Sequence, residues 1–420
     1  MNKRRVVITG MGTINPNGKT VAEFWSNCCK GRSGVRSITA FPISEEYSRI
    51  AGIVDDFEPW QTLPALSPTL DRSTQFALVA AREALNQANL EELPRPERAG
   101  VFISTAIAQI ASMERAFRQQ SQEGQYRLEG VPLLDTSLID AFDFNSTAKI
   151  LARQYNCRGG YTTITTGCTG GLDAIGYAIA AIRSGAVDMA LTGSTEAPIT
   201  PLTVAAFGKI GATSKSNRPP SEVSRPFERE RDGFVLAEGC GILVIEELNH
   251  ALGRGAMILG ELMGFGSVNN CYHMTDIPKD GKRIADSVFL ALKDATLTPD
   301  AIDSINAHGS STPQNDVAET NAYYRVFGDR AATIPVTSNK SQIGHPLSAS
   351  NSIEVIASVQ SLRLGIIPPT INLVEKDPDC PLNVVDNEAR YQPTRCLLKT
   401  SSGFSGIHSS VIIHAFTEQI

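Results

Sequence analysis

The 420-residue chain predicts an α/β protein of layered sheets and helices. Two observations carry that expectation. Short β-branched runs alternate with longer Ala- and Leu-rich stretches whose apolar residues recur three or four apart. The opening run Val6-Val7-Ile8-Thr9-Gly10-Met11-Gly12 is also faintly echoed at 258–266, which points to two similar halves meeting near residue 250. A chain this long exceeds one ordinary domain and is comfortable for two.

The start, Met1-Asn2-Lys3-Arg4-Arg5, is basic, but the apolar run it leads into is too short for a secretion signal and reads as a strand over 6–9. Residues 72–88 carry helical periodicity, and 100–104 reads as a buried strand. A β-branched run at 161–166 predicts another buried strand, followed by a helix over 171–183. Strands follow at 189–192 and 241–246, then helices at 282–292 and 352–364. Pro and Gly cluster at 218–226 and 366–370, as loops require.

Composition excludes several classes. Hydrophobic residues make up 42% and charged residues 20%, the balance of a soluble globular protein large enough to fold without a disulfide or metal. Thirty-eight basic and 44 acidic side chains leave a net charge of -6 and no basic tract, which argues against nucleic-acid binding. No run approaches the roughly 20 apolar residues that span a bilayer. Of eight cysteines only Cys28 and Cys29 are adjacent, and no CxxC pair with matching histidines suggests a zinc site. The expectation is a cytoplasmic protein without a metal.

The segment Tyr161-Thr162-Thr163-Ile164-Thr165-Thr166-Gly167-Cys168-Thr169-Gly170-Gly171 carries the most chemistry. A β-branched run stops, a glycine-flanked turn follows, and helical periodicity begins. This arrangement predicts a Cys168 sulfur exposed at a helix N-terminus, where free amides and the dipole favour a thiolate nucleophile. The alternative is a buried structural cysteine.

His308 ends a short apolar strand in Ile305-Asn306-Ala307-His308-Gly309-Ser310, and His345 lies in Ser338-Asn339-Lys340-Ser341-Gln342-Ile343-Gly344-His345-Pro346. Both sit in polar turns of small residues, with Lys340 five positions before the second. A lone histidine is more often structural, whereas two in this setting point to catalysis.

In order, these segments resemble the Cys–His–His signatures of the β-ketoacyl synthases, and the resemblance runs from 6–18 to 403–406. Within that family the wording is most similar to the α ketosynthase subunit of bacterial type II (aromatic) polyketide synthases. The pieces that carry this are Thr166-Gly167-Cys168-Thr169, Arg231-Asp232-Gly233-Phe234-Val235-Leu236-Ala237-Glu238-Gly239, Tyr272-His273-Met274-Thr275 and His308-Gly309-Ser310. The resemblance implies a thiolase fold, with halves at 1–250 and 251–420 forming a five-layered α-β-α-β-α sandwich.

It also implies a chemistry. An acyl chain passes from a carrier-protein thioester to Cys168, with the Cys168 and Phe404 amides as oxyanion hole. His308 and His345 donate to the enolate that malonyl-carrier protein leaves on losing carbon dioxide. Lys340 orients the site and pairs with Glu354, Ser310 and Thr312 hold the pantetheine arm, and Phe404 gates malonyl entry. No cofactor is expected beyond the phosphopantetheine on the acyl carrier protein. The implied assembly is a heterodimer with a homologous chain-length factor, the alternative a homodimer.

Three departures from the family pattern stand out. Pro346-Leu347-Ser348-Ala349-Ser350-Asn351 replaces a Gly-Ala-rich run, Ser405 replaces a glycine beside Phe404, and 63–70 lacks the basic residues that dock carrier protein in fatty-acid enzymes. Docking then falls to Lys209, Lys215 and Arg218 or to a partner subunit. Four other readings compete. A homodimeric ketosynthase of fatty-acid elongation shares the mechanism, and a non-catalytic chain-length subunit typically lacks the cysteine. A Cys–His hydrolase leaves the second histidine and Lys340 idle. A thiolase needs a second catalytic cysteine, and Cys271, Cys380 and Cys396 lack a glycine-rich setting.

Overall fold

In this computed structural model, which describes residues 3–123 and 137–417, the apolar runs form strands paired across long sequence separations. Met1 and Asn2 of the basic start lie outside the described residues. The first half contributes β1 (Val6–Ile14), β2 (Val35–Ser37), β3 (Ile50–Gly52), β4 (Ala99–Ser104), β5 (Tyr161–Ile164), β6 (Met189–Glu196) and β7 (Gly239–Glu247). The second contributes β8 (Gly260–Asn269), β9 (Ser304–Asn306), β10 (Pro335–Thr337), β11 (Ile366–Ile367), β12 (Asn383–Val384), β13 (Arg390–Tyr391), β14 (Cys396–Ser402) and β15 (Ile407–His414).

The main sheet runs β12-β10-β9-β14-β15-β8-β1-β7-β6-β4-β5. With the five main strands of each half counted in chain order, both halves follow 3-2-4-5-1. The pattern of parallel and antiparallel neighbours among these ten strands also repeats: β5, β4 and β6 are parallel, as are β10, β9 and β14, and the other pairs among the ten are antiparallel, while β12 adds a parallel edge to β10. Within the sheet the halves join where β1 meets β8, paired at Val7–Glu261 and Ile8–Gly260. The echo at 258–266 thus falls on the strand that opens the second half.

Helices complete the layers. Gly170–Arg183 and Ala349–Leu364 pack against strands of both halves and against each other, so they form the middle layer. Arg72–Gln87 covers the other face of the first half, and Lys282–Ala295 with Pro313–Phe327 covers that of the second. Strands covered on both faces read as unbroken apolar runs, and every residue of β1 is buried. The middle helix Ala349–Leu364 is buried all round as far as Leu362, polar Ser350, Asn351, Ser352 and Glu354 included. That polar opening is why its apolar periodicity starts late in the sequence.

One expectation needs correction. The run 161–166 is not a buried strand: β5 ends at Ile164 and forms one edge of the sheet, with Tyr161 and Thr162 exposed. β-branched composition marks a strand but does not separate edge from centre.

Candidate active site

The chain leaves β5, makes one 3₁₀ turn at Gly167–Thr169 and enters the helix Gly170–Arg183. Gly167 adopts a left-handed φ of 63°, which lacks a steric penalty only for glycine. Asp173, in the first helical turn, accepts from the Thr166 hydroxyl and from Thr169 Oγ1 at 2.8 Å, which pins the turn to the helix. The Cys168 carbonyl accepts from Asn351 Nδ2 at 2.5 Å and from Ser401 Oγ at 3.1 Å.

Cys168 is half-buried, and this burial pushes its thiol up to about 11. The nearby Lys340 charge and the backbone amides of Phe404 and Cys168 act in the opposite direction. Those two amides therefore lie near the sulfur. The expected exposed thiolate is corrected: Cys168 lies two residues before the helix, and burial outweighs the amides and the lysine.

His308 and His345 share a cavity with Cys168, their rings 5.2 Å apart and nearly perpendicular. Both are buried and held well below the usual histidine range, first by burial and then by the Lys340 charge. Each is a neutral imidazole at pH 7. His308 Nδ1 lies 3.3 Å from Ser401 Oγ, while the His345 ring packs edge-on against Phe234 at 5.1 Å. The backbone at His308 is fixed by Glu319, which accepts from the His308 and Gly309 amides at 2.7 and 2.8 Å.

Lys340 and Glu354 are a buried pair at 2.6 Å, and Lys340 Nζ also donates to the His308 carbonyl at 2.9 Å. The solvated surface pair that the sequence also permits is excluded by their near-complete burial. Sequence reasoning missed Lys399, whose Nζ lies 2.7 Å from the other Glu354 oxygen, and also missed Glu319 and Ser401. Lys399 is lowered to about 8 by burial, against the pull of Glu354. Its only signal in the sequence is a lysine inside the apolar run Cys396-Leu397-Leu398-Lys399.

Cys168, His308, His345 and Phe404 line one cavity of about 220 Å³. Ser310 and Thr312 line it too, their hydroxyls 2.8 Å apart, and Thr312 caps the helix Pro313–Phe327. Phe404 packs on Phe207 at 6.3 Å, and both line the cavity. Ser405, where the resemblance implies a glycine, sits at a left-handed φ of 65° and donates its amide to the Met274 carbonyl at 2.7 Å. Cys271, Cys380 and Cys396 do not line the cavity. Among the described residues no cluster of three or more His, Cys, Asp or Glu could hold a metal, and no helix is long and apolar enough to cross a membrane.

A half-buried cysteine and two buried histidines on one cavity of a doubled α/β sandwich are the arrangement of a condensing enzyme of the thiolase fold. Comparison with known proteins narrows this. Residues 3–251 match the N-terminal domain of beta-ketoacyl synthase and residues 259–374 its C-terminal domain, and the chain belongs to the beta-ketoacyl synthase family. It is 43% identical to the tetracenomycin polyketide synthase ketoacyl synthase alpha subunit of Streptomyces glaucescens, over 98% of this chain and 97% of that protein. A solved type II polyketide synthase acyl-carrier protein in complex with its ketosynthase bound to the hexaketide matches with a TM-score of 0.93 and 41% identity, over 99% of this chain and 100% of that one. The ishigamide ketosynthase/chain length factor matches at 0.91 and 34%, with the same coverage.

Proposed function

We propose that this chain is the α ketosynthase of a type II polyketide synthase, elongating a carrier-bound chain by decarboxylative Claisen condensation. The convergence of Cys168, His308 and His345 on one cavity, with the Cys168 and Phe404 amides at the sulfur, carries this reading. In the first half-reaction the Cys168 sulfur bonds to the acyl carbon, the carrier thioester breaks, and the thiol proton passes to the departing carrier sulfur. The two amides bind the oxyanion of that exchange; losing one such donor costs a factor of about 100–1000.

In the second half-reaction malonyl-carrier protein releases carbon dioxide. The enolate oxygen is bound by N–H groups of His308 and His345, which as neutral imidazoles donate without a competing charge. The enolate carbon attacks the acyl-Cys168 carbonyl, the carbon–sulfur bond breaks, and the product on the second carrier is one two-carbon unit longer. Lys340 and Glu354 hold the His308 turn from behind. Ser310 and Thr312 receive the phosphopantetheine arm that the carrier brings, and no other cofactor takes part. Exposed Lys209 and Lys215 flank cavity-lining Ile210 and Gly211, and they supply positive charge for an acidic carrier protein. A homologous chain-length subunit is the proposed partner, the pairing found in the ishigamide ketosynthase/chain length factor.

The test is radiolabelled malonyl-carrier protein, supplied with and without the homologous neighbour subunit. Cys168→Ala is expected to lose elongation by at least about 1000-fold. Cys168→Gln should still release carbon dioxide while forming no new carbon–carbon bond. Continued elongation by Cys168→Ala would sink the mechanism. Full elongation by a stable homodimer would instead favour fatty-acid-type assembly.

A further inference from the structure

Residues 269–275 brace the turn that carries Phe404. Asn269 Nδ2 donates to the Ser405 carbonyl at 2.9 Å, and the Asn270 amide donates to the Gly406 carbonyl at 2.8 Å. Gly406 makes room for the Asn270 side chain, because a Cβ there would stand 1.9 Å from its Oδ1. That oxygen accepts from the Tyr272 amide at 2.9 Å, and a backbone N–H can only donate. The orientation of the Asn270 side chain is thereby fixed, and its Nδ2 meets His408 Nε2 at 3.1 Å as a donor.

His408 is buried, and burial holds it down at about 4, so its ring is neutral at pH 7. An Nε2 that accepts leaves the ring proton on Nδ1, 3.0 Å from Ser402 Oγ. Ser402 therefore accepts from His408, and its own proton has no acceptor among the described residues. Buried hydroxyls normally find one. Ser402 is buried too, yet it lines the cavity with Cys168 and Phe404. Successive residues of a strand take opposite faces. On β14, Ser401 bonds the Cys168 carbonyl, whereas Thr400, on the face of Ser402, bonds Glu319 of the helix Pro313–Phe327. Thr312 and Asn315, at the start of that helix, line the cavity, as does Ile277 just beyond the brace. The Ser402 hydroxyl thus stands on the side of Ser310 and Thr312 rather than on that of the sulfur.

The geometry points to Ser402 as a substrate-binding residue whose hydroxyl, set as a donor by Asn270 and His408, takes an amide carbonyl of the phosphopantetheine arm. This rests on the proposed carrier-bound substrates, but its first readout does not. In protein labelled with ¹⁵N-histidine at pH 8, His408 should show Nδ1 protonated and Nε2 unprotonated. Asn270→Asp keeps the Tyr272 bond but places an acceptor at Nε2, so the two signals should exchange and Nδ1 should take the Ser402 proton. Ser402→Ala should raise KM for acyl-carrier and malonyl-carrier protein alike, about 3–10-fold, with kcat little changed. Asn270→Asp, outside the cavity lining, should raise both by a similar factor, while Ser402→Thr, which keeps a hydroxyl, should restore them. Protonated Nε2 in the unaltered protein overturns the proposal. So does an unchanged KM in a folded Ser402→Ala variant, or an exchanged His408 signal with KM unmoved. A rise confined to malonyl-carrier protein would place the contact at the malonyl carboxylate and overturn the arm as its partner. An unaltered protein that shows the expected His408 signals but does not condense would instead strike the proposed function, and the arm with it.

Discussion

Cys168 answers to opposed influences, and their balance is measurable. Burial raises its thiol to about 11, while Lys340 and the Phe404 and Cys168 amides pull it down. At pH 7 the free protein is therefore a thiol, and reaction with iodoacetamide, which needs thiolate, should rise about tenfold per pH unit up to pH 10. Replacing Lys340 with Met removes a positive charge that favours the thiolate. The sign is then definite: the variant should react more slowly than the unaltered protein at each pH below 10. A plateau below pH 8 in the unaltered protein would refute the burial argument. The sequence made Cys168 recognisable through its glycine turn but said nothing of how deep the sulfur sits. That depth is built by Phe404, Ala106, Ile107 and Leu347, which the chain brings from three distant segments.

At the level of elements, legibility follows how local the cause is. The helix Arg72–Gln87 and strand β4 are visible because their apolar spacing is their own. Strand β14 is not, because it places Lys399, Thr400, Ser401 and Ser402 in the interior, where only the opposing helix makes them acceptable. Glu354 on Ala349–Leu364 answers both Lys340 and Lys399, at 2.6 and 2.7 Å. The charge count predicts unequal costs for the two ends. Glu354→Gln leaves two buried ammonium groups without the carboxylate they share, and breaking a buried pair costs about 3–5 kcal/mol. Lys399→Met leaves the Lys340–Glu354 pair intact and removes the lysine already lowered to about 8. Thermal melting should show a much larger loss for Glu354→Gln than for Lys399→Met. Equal losses would mean that Lys399 carries as much of the network as Glu354.

For the whole molecule, the buried titratable groups set the response to acid, and they oppose one another. His308, His345 and His408 are depressed from 6.5, His408 to about 4, chiefly by burial. Their neutral forms stabilise the fold above pH 6.5, and that contribution drains as pH falls below 6.5, because the unfolded chain then binds more protons. Glu83 and Glu196 are raised by burial from 4.5 to about 7, and Asp316 from 3.8 to about 6. For these carboxyls the folded state binds the extra proton, so they add stability as pH falls from 7 toward 4.5. Three groups of each kind give nearly equal and opposite slopes over that window. Below pH 4.5 the gain from Glu83 and Glu196 is complete. The histidine loss continues there, joined by Glu246, which its Arg254 and His250 bonds hold down at about 2 despite burial. The melting temperature should therefore stay nearly level between pH 7 and 4.5 and drop steeply below it. Glu83→Gln deletes one opposing carboxyl, and in that variant the decline should begin near pH 6.5. A steady fall from pH 6.5 in the unaltered protein would show that the histidines act without this counterweight.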